Sequence, residues 1–244
     1  MNKRIVLACH LFMVCALVFL PPLAAQNVPD VSSNDTAIVA AARTTLNWWM
    51  PRHHGVIATQ KPNQKIIFIG DSITHWFDRS PGIWNWTLLS KQYDRRITNL
   101  GFGGDLTQHV IWRLNNGEFP AGINPEYVVL MIGTNNRQAP ESIAAGIWEI
   151  IKIIDTKSPG TKIILMSLLP RGTGLTDVNT IRNYLVNDII SGYDGYLNVK
   201  YLDITEHYVN PDGTLKAELF SDRLHPNMAG YNFWREAIIA EVGS

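Results

Sequence analysis

The order of apolar runs along the chain predicts an α/β fold: a three-layer αβα sandwich, flavodoxin-like, on a parallel sheet of about five strands. Three observations carry that expectation. Short, nearly uninterrupted apolar runs recur at 66–69, 97–100, 127–132, 162–167 and 199–202, as in strands buried on both faces. Stretches with apolar residues at helical spacing lie between them. The chain has 244 residues, 46% of them hydrophobic, enough for one domain with its own core.

The chain opens with Lys3 and Arg4, an apolar run over 5–20, and Pro21-Pro22-Leu23-Ala24-Ala25. This is the charged, apolar and small-residue order of a secretory signal, with cleavage expected after Ala25. The expectation is therefore a secreted or periplasmic protein with no stable membrane insertion once residues 1–25 are removed. Cys9 and Cys15 leave with that segment, so no disulfide and no thiol nucleophile remain. Removing Lys3 and Arg4 from 21 basic and 21 acidic residues leaves a formal charge of −2. No basic run points to nucleic acid.

Residues 26–64 read as an N-terminal helical segment and lead-in. A helix is expected over 36–49, with Ile38, Ala41, Ala42, Leu46 and Trp49 on one face and Asp35 or Asn34 as its cap. Met50-Pro51-Arg52-His53-His54-Gly55 should end it, and 56–64 should be a polar approach to the first strand. The adjacent His53 and His54 read as solvated or packing residues rather than ligands. From residue 65 to 244 the chain reads as one catalytic domain. Its helices are expected over 106–114, then 141–155 with Pro140 in the first turn, 178–190 closed by Gly192, and 228–242. Connections between parallel strands should be right-handed.

The chemistry lies at the strand ends. The first strand runs into Gly70-Asp71-Ser72-Ile73-Thr74. A serine just past a strand's carboxyl end sits where open α/β sheets bind ligands. Gly70 permits a sharp turn, and Asp71 can hydrogen-bond within it. Alone, the stretch is an ordinary strand-to-helix turn. The second strand leads into Asn99-Leu100-Gly101-Phe102-Gly103-Gly104-Asp105 ahead of a helix. Glycines there let backbone N–H groups approach a ligand, and the helix N-terminus favours negative charge. Phosphate binding is one reading. The spacing is not the dinucleotide fingerprint, however, and an acidic Asp105 opposes a phosphate. An oxyanion site using the Gly104 N–H fits better. Asp105 also reads as the cap of the following helix, with Gln108 at the capping-box position.

The third strand ends in Gly133-Thr134-Asn135-Asn136. Asn135 can aim its side-chain amide at the same place, or stabilise its own loop. The last stretch is Asp222-Arg223-Leu224-His225-Pro226, just before the final helix. An Asp three residues before a His can hold one ring nitrogen and leave the other free to take a proton from a serine. His75 and His109 read as packed or supporting residues, and His207 as solvated. No metal-ligand spacing and no cofactor motif appear.

In combination, the four stretches resemble the SGNH (GDSL-type) hydrolases. Gly70-Asp71-Ser72-Ile73 is similar to their nucleophile block, with Ile where Leu often stands. Gly104 is similar to their glycine block, Asn135 to their asparagine block, and Asp222 to Pro226 to their acid–base block. The likeness spans about 65–242. Within the family, the middle of the chain resembles the catalytic subunits of platelet-activating-factor acetylhydrolase: Asn99 to Asp105, His109 to Leu114, Gly133 to Asn136, and Leu168-Leu169-Pro170-Arg171-Gly172. It departs from them in its secretory signal, its N-terminal aromatic segment and the stretch Thr173 to Asp177. The resemblance implies attack by Ser72 Oγ on an ester carbonyl, proton transfer through His225, orientation of His225 by Asp222, and an oxyanion hole of the Ser72 N–H, the Gly104 N–H and the Asn135 amide. Each such donor is typically worth roughly 3–4 kcal/mol of barrier.

The substrate is less legible. Trp48, Trp49, Trp76, Trp84 and Trp86 form either a platform for sugar rings or, more in keeping with tryptophan, core and rim packing. No long apolar lid is evident, which favours a short acyl group. The expected function is a deacetylase of carbohydrates or small glycosides. A lipid-directed acetylhydrolase or lysophospholipase is the alternative within the class, and a non-catalytic glycan-binding module the alternative outside it. The oligomeric state is not legible.

Overall fold

In the computed structural model, residues 28–243 are described. The expected signal segment and its cleavage point lie outside them. Five strands, β1 (Ile66–Gly70), β2 (Ile97–Gly101), β3 (Tyr127–Met131), β4 (Lys162–Met166) and β5 (Val199–Leu202), form one sheet in the order β2-β1-β3-β4-β5. Every pairing is parallel. Ile66, Ile67, Phe68 and Ile69 of β1 are wholly buried, which is why that run carries no polar alternation. Ile66 lies beside Ile97 on one neighbour and Tyr127 on the other.

Seven α-helices among the described residues accompany the sheet: α1 (Trp49–Thr59), α2 (Ser72–His75), α3 (Ile83–Gln92), α4 (Thr107–Arg113), α5 (Pro140–Lys157), α6 (Val178–Ser191) and α7 (Met228–Val242). Helix α3 packs against α7, while α4, α5 and α6 pack in series. With right-handed crossovers, this order places α3 and α7 on one face and the other three on the opposite face. The chain reverses direction across the sheet between β1 and β3. The crevice at the carboxyl ends of those strands is the ligand position of such folds. No helix among the described residues is long and apolar enough to cross a membrane.

One expectation about local structure is corrected, and one helix was not anticipated. The segment 36–48 is not a helix. Asp35 does cap a turn, accepting the Ala37 N–H at 2.8 Å, but only one turn follows. Ile38, Ala41, Ala42 and Leu46 are only partly buried, so no apolar face holds a longer helix. The segment bonds sideways instead: Ala41 N donates to Gln108 O, and Thr107 Oγ1 donates to Ala37 O. The helix starts where it was expected to stop. Pro51 is the third residue of α1, in the first turn, where a missing N–H costs nothing. The unanticipated helix is α3, which the apolar pattern did not reveal. Its Ile83 and Trp84 are exposed while Asn85 is buried, so its sequence shows no apolar stripe.

Candidate active site

Ser72 is the first residue of α2, and the helix begins because Asp71 caps it, its Oδ1 accepting the Ile73 N–H at 2.9 Å. Gly70 was expected to supply a sharp turn. Its backbone is not left-handed; the glycine is needed because Thr74 and the carbonyl of Met131 approach so closely that a Cβ would collide with both. Gly101 beside it on β2 meets the backbone of His75 in the same way. These two glycines let α2 lie directly on the strand ends. The other Asp71 oxygen is buried without a hydrogen-bond partner among the described residues. Burial, reinforced by the nearby Asp105 carboxylate and opposed by the Ile73 N–H and Arg171, raises the Asp71 pKa to about 7.

The structure brings Ser72, His225 and Asp222 into one line. His225 Nε2 is 2.8 Å from Ser72 Oγ, and His225 Nδ1 is 2.7 Å from Asp222 Oδ2. Asp222 Oδ1 also accepts the N–H groups of Leu224 at 3.1 Å and His225 at 2.8 Å. One carboxylate therefore shapes the turn with one oxygen and holds the imidazole with the other. Partial burial works against its charge, but these N–H groups and His225 outweigh it and hold its pKa below the usual carboxylate range. Within the turn, Arg223 adopts φ 63°, and its carbonyl accepts the Gly172 N–H at 2.8 Å, anchoring the loop that follows β4.

Gly104 and Asn135 come from the loops after β2 and β3, which flank β1. Gly104 has φ +72°. In the run 102–106, the N–H groups of Phe102, Gly103, Asp105 and Leu106 bond to Gly70 O, His75 Nδ1, Phe102 O and His109 Nδ1 respectively. The Gly104 N–H alone in this run has no partner among the described residues. Asn135 donates one amide hydrogen to Asp105 O at 3.2 Å, which ties it to the same loop.

Asp105 is not the helix cap that its position suggested. It is fully buried and accepts Trp49 Nε1–H and Arg113 Nε–H, both at 2.8 Å. Arg113 is also fully buried, pairs with Glu118, and is held charged by Glu118 and Asp105 against the cost of burial. His53 closes the chain on Glu118 at 2.7 Å. His53 therefore has a buried ionic partner, whereas His54 is exposed. His75 and His109 are packed, as expected. Each accepts a backbone N–H at Nδ1, and burial next to arginines lowers their pKa values to about 3 and about 4. His207 is not simply solvated; it stacks on Phe233 with centroids 4.7 Å apart. Among the tryptophans, Trp49 is wholly buried, Trp84 is exposed, and Trp76 lies on the ring of His225. Trp48 stacks near His75 and Phe102 with its indole partly exposed.

A serine, an imidazole and a carboxylate in hydrogen-bonded series, beside an unpartnered backbone N–H and a tethered amide, can carry out acyl transfer. The class defined by fold and site is thus a doubly wound α/β hydrolase with a serine at the end of β1. The chain belongs to the GDSL-like Lipase/Acylhydrolase family, whose model matches residues 68–233. Among curated relatives, the platelet-activating factor acetylhydrolase IB subunit alpha1 of Rattus norvegicus is 34% identical over 186 residues, covering 75% of this chain and 77% of its own length. The alpha2 subunit of the same organism is 35% identical over 204 residues, covering 82% and 86%. Solved structures share the fold. A GDSL-like lipase from Bacteroides thetaiotaomicron superposes with a TM-score of 0.65 at 17% identity, covering 79% of this chain and 96% of that one. An acetylxylan esterase from Geobacillus stearothermophilus gives 0.59 at 19% identity, covering 75% and 96%.

Proposed function

We propose that the protein is a secreted serine ester hydrolase that removes short acyl groups, acetyl above all, from carbohydrates or small glycosides. The observation that carries the ester-hydrolase part is the series Ser72 Oγ, His225 Nε2 and Nδ1, Asp222 Oδ2, with links of 2.8 and 2.7 Å. In this reading His225 removes the Ser72 proton as Oγ attacks the ester carbonyl. The charge that builds on the carbonyl oxygen is taken up by the N–H groups of Ser72 and Gly104 and the Asn135 amide. His225 then returns the proton to the leaving alkoxide, leaving an acyl-serine. Water enters by the same route in reverse and releases the acid. Asp222 keeps the imidazole in the tautomer with Nδ1 protonated and stabilises the imidazolium. The apolar N-terminal run with its small-residue exit supports export.

The carbohydrate part rests on a groove of about 410 Å³ lined by Trp48, Arg52, His75 and Arg79. An accessible indole beside fixed polar groups suits a hydroxylated ring. His75 stands one helical turn from Ser72, so this groove can take the sugar next to the esterified one. A second reading, a lipid-directed acetylhydrolase, is favoured by apolar side chains near the His225 turn. Leu175, Val178 and Ile181 are exposed on the side of the Gly172 anchor, and Met228, Ile83 and Trp84 are exposed where α7 meets α3. The names of the curated relatives lean the same way.

Measuring kcat/KM across acetyl, butyryl, octanoyl and palmitoyl nitrophenyl esters, with acetate release from acetylated xylan or pectin fragments and from a short-acyl phospholipid, separates the readings. The expected result is a maximum at acetyl with release from glycan. A maximum at octanoyl or longer removes the deacetylase reading, and acetate release from phospholipid alone establishes the second.

A further inference from the structure

We infer that Arg43, from the segment that precedes the family-matched region, is a positioning residue of the oxyanion site and acts through a single peptide plane. Its Nη1 donates to the carbonyl of Gly103 at 2.9 Å and reaches Asp105 Oδ1 at 3.4 Å. The carbonyl of Gly103 and the N–H of Gly104 belong to the same peptide group. In a trans peptide they point in opposite directions. A guanidinium fixed on the oxygen therefore fixes where the N–H aims. It also polarises the amide, and a charge-assisted bond on the carbonyl makes the N–H a stronger donor.

This plane needs holding. Gly104 sits at φ +72°, and two consecutive glycines put almost no steric barrier in the way of a peptide flip. The neighbouring N–H groups at 102, 103, 105 and 106 are all engaged by other partners. Among the described residues, Arg43 is the one that bonds the Gly103–Gly104 peptide from outside the loop. Arg43 is in turn held by its own segment, which is pinned by Thr107 Oγ1 to Ala37 O at 2.7 Å and by Trp49 Nε1 to Asp105 at 2.8 Å. The irregular path of residues 36–48 thus delivers a cation to the back of the oxyanion donor.

The inference rests on the reading of Gly104 as an oxyanion donor, and the test keeps the two apart. Arg43→Met, Arg43→Gln and Arg43→Lys are compared with wild type on nitrophenyl acetate and on a fluorophosphonate, which builds charge on the same oxygen. Arg43→Met should lower kcat about tenfold or more with KM within about twofold, and should slow fluorophosphonate labelling of Ser72 by a similar factor. Arg43→Lys should recover most of both, and the Gly104 amide nitrogen resonance should move in the Met and Gln variants but little in the Lys variant. A lower melting temperature with unchanged kcat and labelling rate overturns the inference, as does an effect confined to KM. Should the Met variant fail to fold, Gln against Lys gives the same comparison. Absence of Ser72 labelling in the wild type would instead overturn the reading of Ser72 as the nucleophile whose ester Gly104 serves, and this inference with it.

Discussion

The indole of Trp76 stacks on the imidazole of His225, ring centroids 3.9 Å apart and planes 29° apart. Trp76 follows α2, the helix that carries Ser72, so one short segment supplies both the hydroxyl facing His225 Nε2 and the surface under its ring. Stacked aromatic pairs are worth about 0.5–1.5 kcal/mol beyond area burial. Trp76→Ala should therefore lower kcat by roughly three- to tenfold, since each 1.36 kcal/mol is tenfold in rate. Trp76→Phe should lose less, because it keeps a flat face. Steady-state kinetics on a short nitrophenyl ester checks this; a Trp76→Ala enzyme with wild-type kcat would remove the indole from any part in placing the imidazole.

Ser72→Ala should abolish ester hydrolysis and fluorophosphonate labelling while the protein stays folded, since a hydroxyl at the first position of α2 contributes no core packing. His225→Ala should be nearly as damaging and Asp222→Asn less so, because members of such a unit act non-additively. Neutral imidazole is the competent base in this assignment. His75 and His109, with pKa values of about 3 and about 4, should give no ionisation in a pH–rate profile above pH 5. Activity should survive dialysis against a chelator. A fatal His75→Ala beside a mild His225→Ala would reverse the assignment.

Asp71 offers a prediction about stability. Its pKa is about 7 in the fold against 3.8 for the ordinary group. Between those values the folded state holds a proton that the unfolded chain has released. Its contribution to stability is therefore fully present below about pH 4 and is lost as pH rises through about 7, at up to about 1.4 kcal/mol per pH unit. Asp71→Asn removes the titration. Relative to wild type, that variant should gain stability steadily from pH 4 to 7 and change little beyond pH 8, as read by urea unfolding at several pH values. A difference that does not vary with pH would contradict a raised pKa. The same variant tests whether Asp71 contributes to the pH–rate profile.

The buried series Asp105, Arg113, Glu118 and His53 should be costly to break at one point. Arg113→Met leaves wholly buried Glu118 without its arginine and Asp105 with only the 3.4 Å contact to Arg43. Removing one partner of a buried pair typically costs about 3–5 kcal/mol. Urea unfolding should show a loss of that size, and a combined Asp105→Asn, Glu118→Gln background should recover part of it. A loss under about 1 kcal/mol would mean that solvent reaches the cluster.

Much of this molecule is written locally. Strands β1 to β4 are largely buried runs, and burial on both faces imposes a pattern that stands out from everything around it; β5, at the sheet edge, buries only Val199. Helices α5 and α7 each bury an apolar stripe, and Pro140 marks the start of the first; on α6 the apolar stripe Val178, Ile181 and Leu185 is exposed instead, and its buried face includes Thr180, Asn183 and Asn187. The residues of the candidate site were legible for a related reason. Each follows the end of a strand or precedes a helix, and in a doubly wound sheet those ends converge on one crevice. The spacing of Asp222 and His225 sufficed for their pairing, since three residues of turn bring a carboxylate to its own imidazole.

Other features were decided by partners far away in the chain. Asp105 looks like a helix cap from its neighbours. It is instead a buried carboxyl group with Trp49 bonded to one oxygen and Arg113 to the other, and desolvating such a group is tolerable only with such partners. Residues 36–48 have helical spacing, yet their backbone bonds to α4 because their apolar side chains have no surface to cover on all sides. Trp76 reads as one more packing tryptophan until α2 turns it beneath His225. Arg43 has no local signal at all: its contact with Gly103 spans 60 positions and depends on a peptide plane that two glycines leave free. The strands, most of the helices after β2 and the candidate reacting groups could be read from the chain, because periodicity and short spacing are local. What holds those groups in place was decided only by the tertiary structure, because a long side chain's partner depends on which distant backbone folding brings within its reach.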